Sequence, residues 1–320
     1  MTELTGTANK KIDFKSRMVQ TGRNIVKNKE KYLLILPGLI WYVIFAYIPI
    51  YGLTLAFKKF LAAEGIFGSP WIGLYNFENV FKDPAFLQSI ITTLRINAGR
   101  LLFVFPFPII LALIINELRL GRFKKILQSI FTFPHFLSWV IVASVMINIL
   151  GQNGLVNSLL GTLFETESIR FLGTPSYFQP LVYLTDIWKT AGWSAIIYMA
   201  TISGIDVEQY EAAEIDGSTR LQRMRYITLP GLKPTIVVLF ILAVGYLMSG
   251  GFEQIFNLSN PATIRVAEIL DMYIYRITFR GSVDFSFSAA VALIRSVVNL
   301  VLLLTADRVI KAIDGTGLLA

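Results

Sequence analysis

From Tyr32 to Phe57 the chain runs for 26 residues without one charged side chain. A helix needs about 20 predominantly apolar residues to cross a hydrocarbon core of roughly 30 Å. Inside that core every backbone N–H and C=O must be satisfied internally, so an apolar block of this length is read as a membrane-spanning helix. Comparable blocks recur at about 88–116, 126–150, 177–204, 235–257 and 284–306. The pattern predicts an all-α membrane protein with six transmembrane helices. Composition agrees: hydrophobic residues make up 54% and charged residues 16%, against about 25% charged in an ordinary soluble domain.

The blocks divide the chain into a basic segment at 1–31, a membrane domain at 32–311 and a tail at 312–320. The net charge of +8 could point to nucleic acid, but its placement argues otherwise. Lys10, Lys11, Lys15, Arg17, Arg23, Lys27, Lys29 and Lys31 all precede the first block, which is a topology signal rather than an ordered basic face, so no nucleic-acid partner is expected. With residues 1–31, 118–125, 205–233 and 307–320 inside, 18 of the 29 Lys and Arg lie on the cytosolic side. Both termini are therefore expected in the cytosol of a multi-pass plasma-membrane protein. The first block starts too late and runs too long for a cleaved signal peptide, so it is expected to stay.

Catalytic readings find little support. There is no cysteine and one histidine, His135; neither a HExxH metal motif nor a GxSxG nucleophile elbow occurs. No GxxxxGK[ST] phosphate loop occurs either. We expect no catalytic residue, no metal ligand and no cofactor held by this chain.

The most informative segment is the polar connection at 205–233. Acids early in Val207–Ile215 suit a helix N-terminus, Gly217 can supply the left-handed residue that ends a helix, and Ser218 or Thr219 can cap a second one. Pro230 and Pro234 are expected to break that second helix before the fifth span. The result is a short, rigid helix–turn–helix, where an arbitrary loop would be only a solvated amphipathic stretch.

Within it, Glu211-Ala212-Ala213, three residues, Gly217, nine residues and Ile227-x-Leu229-Pro230 resemble the signature loop of importer permeases of the ATP-binding-cassette class. Asp216 before the glycine is similar to the carbohydrate branch. YIPIYGLTLAFKKF, SPWIGLYNFENVF and RINAGRLLFVFPFPIILALIINEL resemble the permeases for complex oligosaccharides, including alginate and pectin fragments, and the likeness covers most of residues 32–313. The resemblance implies a type I ABC importer permease fold in a bacterial inner membrane. It also implies a second homologous permease, two ATPase subunits that hold ATP and magnesium, and an extracytoplasmic solute-binding protein. By position, Glu211, Ala212, Ala213, Asp216, Gly217, Leu229 and Pro230 would form the coupling surface for the ATPase. Arg220 and Arg223 would either touch its acidic groups or remain solvated.

Ionisable residues inside spans are functional candidates by default. In the fourth block Asp186 and Lys189, three apart, can neutralise each other on one helix face. Trp188 and Trp193 can stack on the apolar C–H faces of sugar rings or pack between spans. Toward the end of the fifth block, Gly250 and Gly251 loosen the helix where Phe252, Glu253, Gln254 and Asn257 gather as a candidate substrate wall. Arg295 in the sixth block is expected to face a cavity or to pair with Asp186 or Glu253. Arg95 and Arg100 are expected to snorkel to the outer interface. If several of these cations line the path, an acidic saccharide such as a uronate oligomer is favoured. The competing readings are an ion-gradient-driven secondary transporter, which gives 205–233 no docking role, and a membrane-embedded transferase, which needs an acid–base constellation that the sequence does not offer.

Overall fold

The computed structural model describes residues 27–118, 121–280 and 283–314, with side chains through residue 312. Most of the 1–31 segment, part of the basic turn before residue 121, and the tail from 315 lie outside the described residues. The chain divides into two units, 1–54 and 55–320.

In the first unit, α1 (Lys29–Tyr42) passes into a π turn at Val43–Tyr47 and then a 3-10 stretch that starts at Ile48. Its apolar side chains are exposed, Leu34 by 83%, as befits a surface whose solvent is lipid or another membrane chain.

The second unit carries the remaining helices, among them single turns at Gly65–Gly68 and Ile264–Ala267. α2 (Tyr75–Lys82) leads into α3 (Pro84–Gly99), a π turn at Arg100–Val104 and α4 (Pro106–Asn116). Then come α5 (Gly121–Thr132), α6 (Trp139–Leu150), α7 (Leu155–Phe164) and α8 (Pro175–Ser203). The polar connection holds α9 (Val207–Ile215) and α10 (Arg220–Arg223), followed by α11 (Leu229–Gly245). α12 (Phe252–Leu258), α13 (Leu270–Phe279) and α14 (Phe285–Asp314) complete the chain.

Five helical stretches among the described residues are long and apolar enough to cross a bilayer: Lys29–Phe57, Pro84–Asn116, Trp139–Phe164, Arg220–Gly245 and Phe285–Ala312. α8 has 29 residues, about 43 Å at 1.5 Å per residue, and so has the length of a sixth. It falls short on hydropathy because Asp186, Lys189 and several hydroxyl groups interrupt it.

Several expected boundaries move for local reasons. The second span starts earlier, because Asp83 caps α3 by accepting from the Ala85 N–H at 2.8 Å with Pro84 at the first position. The third is broken by a 3-10 turn at Phe133–Phe136, centred on Pro134, and α6 restarts on the Ser138 cap. Pro230 and Pro234 do not break the helix before the fifth span. A π turn at Met224–Thr228 widens the backbone ahead of Pro230, relieving the ring's clash with the preceding turn. The same device precedes Pro49 and Pro106: each π turn ends two residues before a proline. The fifth span stops at Gly245 instead of 257, since Gly250 (φ 98°) and Gly251 (φ 84°) turn the backbone away and α12 is a separate helix.

Hydrocarbon tails are as apolar as leucine, so helix contact in a membrane relies on close packing and interhelical hydrogen bonds. α8 is the hub. Its small residues Ala191 and Ala195, with Tyr198 and Ile202, bury against Leu111, Ala112 and Ile115 of α4. At Gly192 a Cβ would collide with the Phe131 carbonyl and approach the Thr132 nitrogen to 2.7 Å, so α5 and α8 touch backbone to backbone. Toward its other end, Phe178 and Val182 pack with Ile96, Ala143, Ile255 and Met272. A third cluster joins Val80 and Phe86 to Tyr273, Ala290 and Val291. Tyr273 is fully buried and donates its hydroxyl proton to Asp83 at 2.6 Å.

Candidate functional site

The polar connection forms two helices around a tight turn, as its residues suggest. Asp206 caps α9 by accepting from the Glu208 N–H at 3.0 Å. The helix ends in a Schellman motif: the Ser218 N–H reaches Ala213 O at 2.9 Å and the Gly217 N–H reaches Glu214 O at 3.1 Å. Gly217 sits at φ 73° with open space around it, so conformation rather than crowding demands glycine there. Thr219 then starts α10 with a capping box, its N–H donating to Gln222 Oε1 at 2.7 Å.

Two cross-ties brace the pair. The Tyr210 and Thr228 hydroxyls lie 2.9 Å apart, and Arg223 lies 3.2 Å from Glu214. Because α10 continues through the π turn into α11, the turn is fixed to a membrane span without an intervening loop. Glu211, Ala212, Asp216, Gly217, Arg220, Leu229 and Pro230 are exposed, with Ala213 and Arg223 half-buried. Ile215 is 87% and Leu221 73% exposed. Both are apolar side chains held open beside Glu211, Asp216 and Gly217.

A second polar centre lies among the spans, and it differs from the expected pairings. Arg100 does not snorkel outward. Its Nε lies 3.0 Å from Asp186 Oδ2, and its terminal nitrogens donate to Asn97 Oδ1 at 2.9 Å, to Gly250 O at 3.3 Å and to Gln254 Oε1. Asp186 therefore pairs with Arg100 and not with Lys189. Lys189 turns the other way, donating to His135 O at 2.6 Å with its ammonium 5.4 Å from the Trp139 ring. His135 in turn stacks on Trp193, centroids 4.6 Å apart and ring planes nearly parallel. Nor does Arg295 pair with Asp186 or Glu253: it bonds to Asp271 of α13, which discharges the cost of about 2.5–3.5 kcal/mol that a lone central arginine carries.

The expected substrate wall divides by helix face. Gln254 is fully buried, its amide donating to Val182 O at 2.7 Å and Thr185 Oγ1 at 2.9 Å, so it clamps α12 to α8. Glu253 is exposed, while Phe252 and Asn257 are half-buried. Trp188 and Trp193 are 41% and 44% exposed.

Sequence reasoning missed Asn97, Asp271 and Asn299, which together hold the bend after α11. Asn97 donates to Leu247 O at 2.7 Å and Ser249 O at 3.3 Å. Asn299 accepts from the Met248 N–H at 3.0 Å and donates to Ser249 Oγ at 2.7 Å, and Asp271 accepts from the Gly250 N–H at 3.2 Å. Irregular backbone at membrane depth survives only when protein groups satisfy it in this way. A cavity of about 250 Å³ opens beside Asn97, Arg100 and Ser249. The available signal was charge balance, since every intramembrane charge needs a partner, but the sequence left the choice of partner open.

Comparison with known proteins places these features. The profile described as "Binding-protein-dependent transport system inner membrane component" matches residues 104–315. The polygalacturonan/rhamnogalacturonan transport system permease protein YteP of Bacillus subtilis is 42% identical over 295 residues, 92% of this chain and 91% of the relative. Protein LplB of the same organism is 39% identical over 293 residues, 91% of this chain and 92% of the relative. Among solved structures, a bacterial ABC transporter involved in the import of the acidic polysaccharide alginate superposes with a TM-score of 0.84 at 36% identity, covering 92% of this chain and 99% of that one. The alginate transporter in complex with an alginate pentasaccharide-bound periplasmic protein gives 0.83.

Proposed function

The chain belongs to the binding-protein-dependent transport system inner-membrane component family, and from that premise we propose that it forms one half of a heterodimeric pore driven through residues 205–233 by separate ATPase subunits. It is a permease subunit of an ATP-driven, binding-protein-dependent importer of oligosaccharides, with the type I ABC importer permease fold, and not an ion-gradient-driven carrier.

One observation carries the coupling reading. The exposed turn at Gly217 is continuous, through α10 and the π turn, with the span α11. A push on Ile215 or Leu221 from an ATPase cleft therefore passes to α11 as a rigid rotation, and the Tyr210–Thr228 tie carries α9 along. Closure of two ATPases around ATP would draw the two permeases' levers together and turn the central cavity outward; hydrolysis would release it inward. This chain would do no covalent chemistry, ATP and magnesium being held by the ATPases. A solute-binding protein would deliver the saccharide to the face opposite the lever, and both termini would lie on the lever's side.

Trp188, Trp193, Phe252, Glu253 and Asn257 are the side chains we assign to the pathway, because they keep exposed ring or polar surface. Asp186, Lys189, Gln254 and Arg295 hold its wall. An acidic saccharide is favoured: the curated relative is named for polygalacturonan and rhamnogalacturonan and the solved one for alginate.

Co-purification tests the coupling. ATPase subunits should be recovered with the wild-type permease pair in detergent and lost with Gly217→Val, which is strained at φ 73°, while helix content is unchanged. Equal recovery with both would refute the lever. Solute accumulation by vesicles holding the permeases without any ATPase would refute the assignment as a whole.

A further inference from the structure

Four aromatic rings form an unbroken run across α12 and α13, past the bend that follows α11. Phe252 and Phe256, one turn apart on α12, are stacked at 5.2 Å; Phe256 meets Tyr275 of α13 edge-on at 5.3 Å; Tyr275 meets Phe279 at 5.6 Å. The guanidinium of Arg280 lies over two of them, 5.4 Å from the Tyr275 ring and 5.8 Å from that of Phe256. Its neighbour one turn back, Arg276, is spent on Glu268 at 2.6 Å. Among the described residues no carboxylate pairs with the Arg280 side chain and no acceptor takes its N–H groups. Arg280 and Phe279 are exposed.

We infer that this strip is an anionic-sugar subsite of the permease, with Arg280 the residue that reads the carboxylate. The claim rests on the transport reading above and goes beyond it by naming where acidity is sensed. The chemistry is complementary on both counts. A pyranose ring presents an apolar C–H face that lies on aromatic carbon, and its carboxylate offers two in-plane oxygens that match a guanidinium fork. Cation–π contact with Tyr275 and Phe256 holds the guanidinium in place without consuming its N–H donors, so the charge is pre-positioned and the entropic cost of binding is reduced. Phe252 and Phe256 share α12 with Gln254, which lies on the opposite helix face and is anchored by its amide to α8, so the helix that carries the strip is clamped to the polar centre of the spans.

The test uses the complete transporter, both permeases with their ATPases, in lipid nanodiscs without binding protein or ATP. The probes are trigalacturonate and the same trisaccharide with its carboxyls reduced to alcohols, compared by equilibrium dialysis. Wild type should retain the acidic probe more tightly than the neutral one. Arg280→Gln should weaken retention of the acidic probe about tenfold, the size expected for one charge-assisted contact, and leave the neutral probe unchanged; Arg280→Lys should fall between. Equal loss of both probes would make Arg280 structural, and no loss would remove it from any subsite. A loss matched in wild type by exchanging anionic for zwitterionic lipid would make it a headgroup contact. Weakened docking of substrate-free binding protein, measured separately on the same nanodiscs, would make it a protein contact. Each of these four results overturns the proposal. ATP-dependent uptake by the wild-type complex is scored separately, so failure of the transport reading is distinguishable from failure of the subsite.

Discussion

Arg100 Nε lies 3.0 Å from Asp186 Oδ2, with both side chains less than a fifth exposed. The arginine sits in the π turn between α3 and α4, where the widened backbone precedes Pro106, and the aspartate sits midway along α8. Around them Asn97, Gln254 and Gly250 O accept hydrogen bonds from the terminal guanidinium nitrogens. The pair thus fastens the second span to the fourth and to the bend after the fifth.

Removing one member of such a pair should cost more than removing both, because a lone charge is left away from water. Arg100→Met is expected to destabilise by about 3–5 kcal/mol, and Asp186→Leu comparably. The Arg100→Met/Asp186→Leu double variant should recover a substantial part. Unfolding midpoints of the four proteins in one detergent form the double-mutant cycle. Strict additivity would mean that the two residues are not coupled.

The bend at 246–251 depends on side-chain amides for its backbone partners. Asn299→Leu strands the Met248 N–H and the Ser249 hydroxyl, and Asn97→Leu strands the Leu247 and Ser249 carbonyls. Each should cost about 1–3 kcal/mol. Hydrogen–deuterium exchange should accelerate at 246–251 well before it does in α8. Unchanged protection there would show that the bend is held by something else.

Gly192 and Gly217 demand glycine for opposite reasons, and alanine separates them. Gly192→Ala puts a methyl into the Phe131 carbonyl and should force α5 from α8 at a cost of about 1–3 kcal/mol. Gly217→Ala meets nothing and carries only the penalty of a left-handed residue, about 1–2 kcal/mol, confined to the turn. Thermal unfolding should fall with both, whereas exchange at 214–219 should respond only to the second.

Thr219 closes the capping box that starts α10. Thr219→Ala should remove about 1 kcal/mol from that helix end. Because α10 is fused to α11, fraying at 219–223 should weaken ATPase recovery without altering the spans' helix content. Wild-type recovery with measurable fraying would mean that α10 need not be rigid for docking.

What residues 32–57 or 88–116 would become was written in the residues themselves, since hydropathy and length are sums over one segment and need no partner. The helix–turn–helix at 205–233 was legible for the same reason. Asp206, Gly217, Thr219 and Gln222 act on backbone groups within five residues, so the Schellman turn and the capping box follow from local order. The tertiary structure alone decided which buried charge answers which. Asp186 has Lys189 three residues away and Arg100 86 positions away in the chain, and the distant one wins because close packing of α3, α4 and α8 brings it to the carboxylate while Lys189 is drawn to the His135 carbonyl in the turn between α5 and α6. The prolines depart from their local rule on similar grounds: Pro230 removes a donor, but whether the helix breaks or slips into a π turn depends on neighbours that fix both ends. Local order sets the elements, and the pairing of groups that lipid cannot solvate sets how they meet.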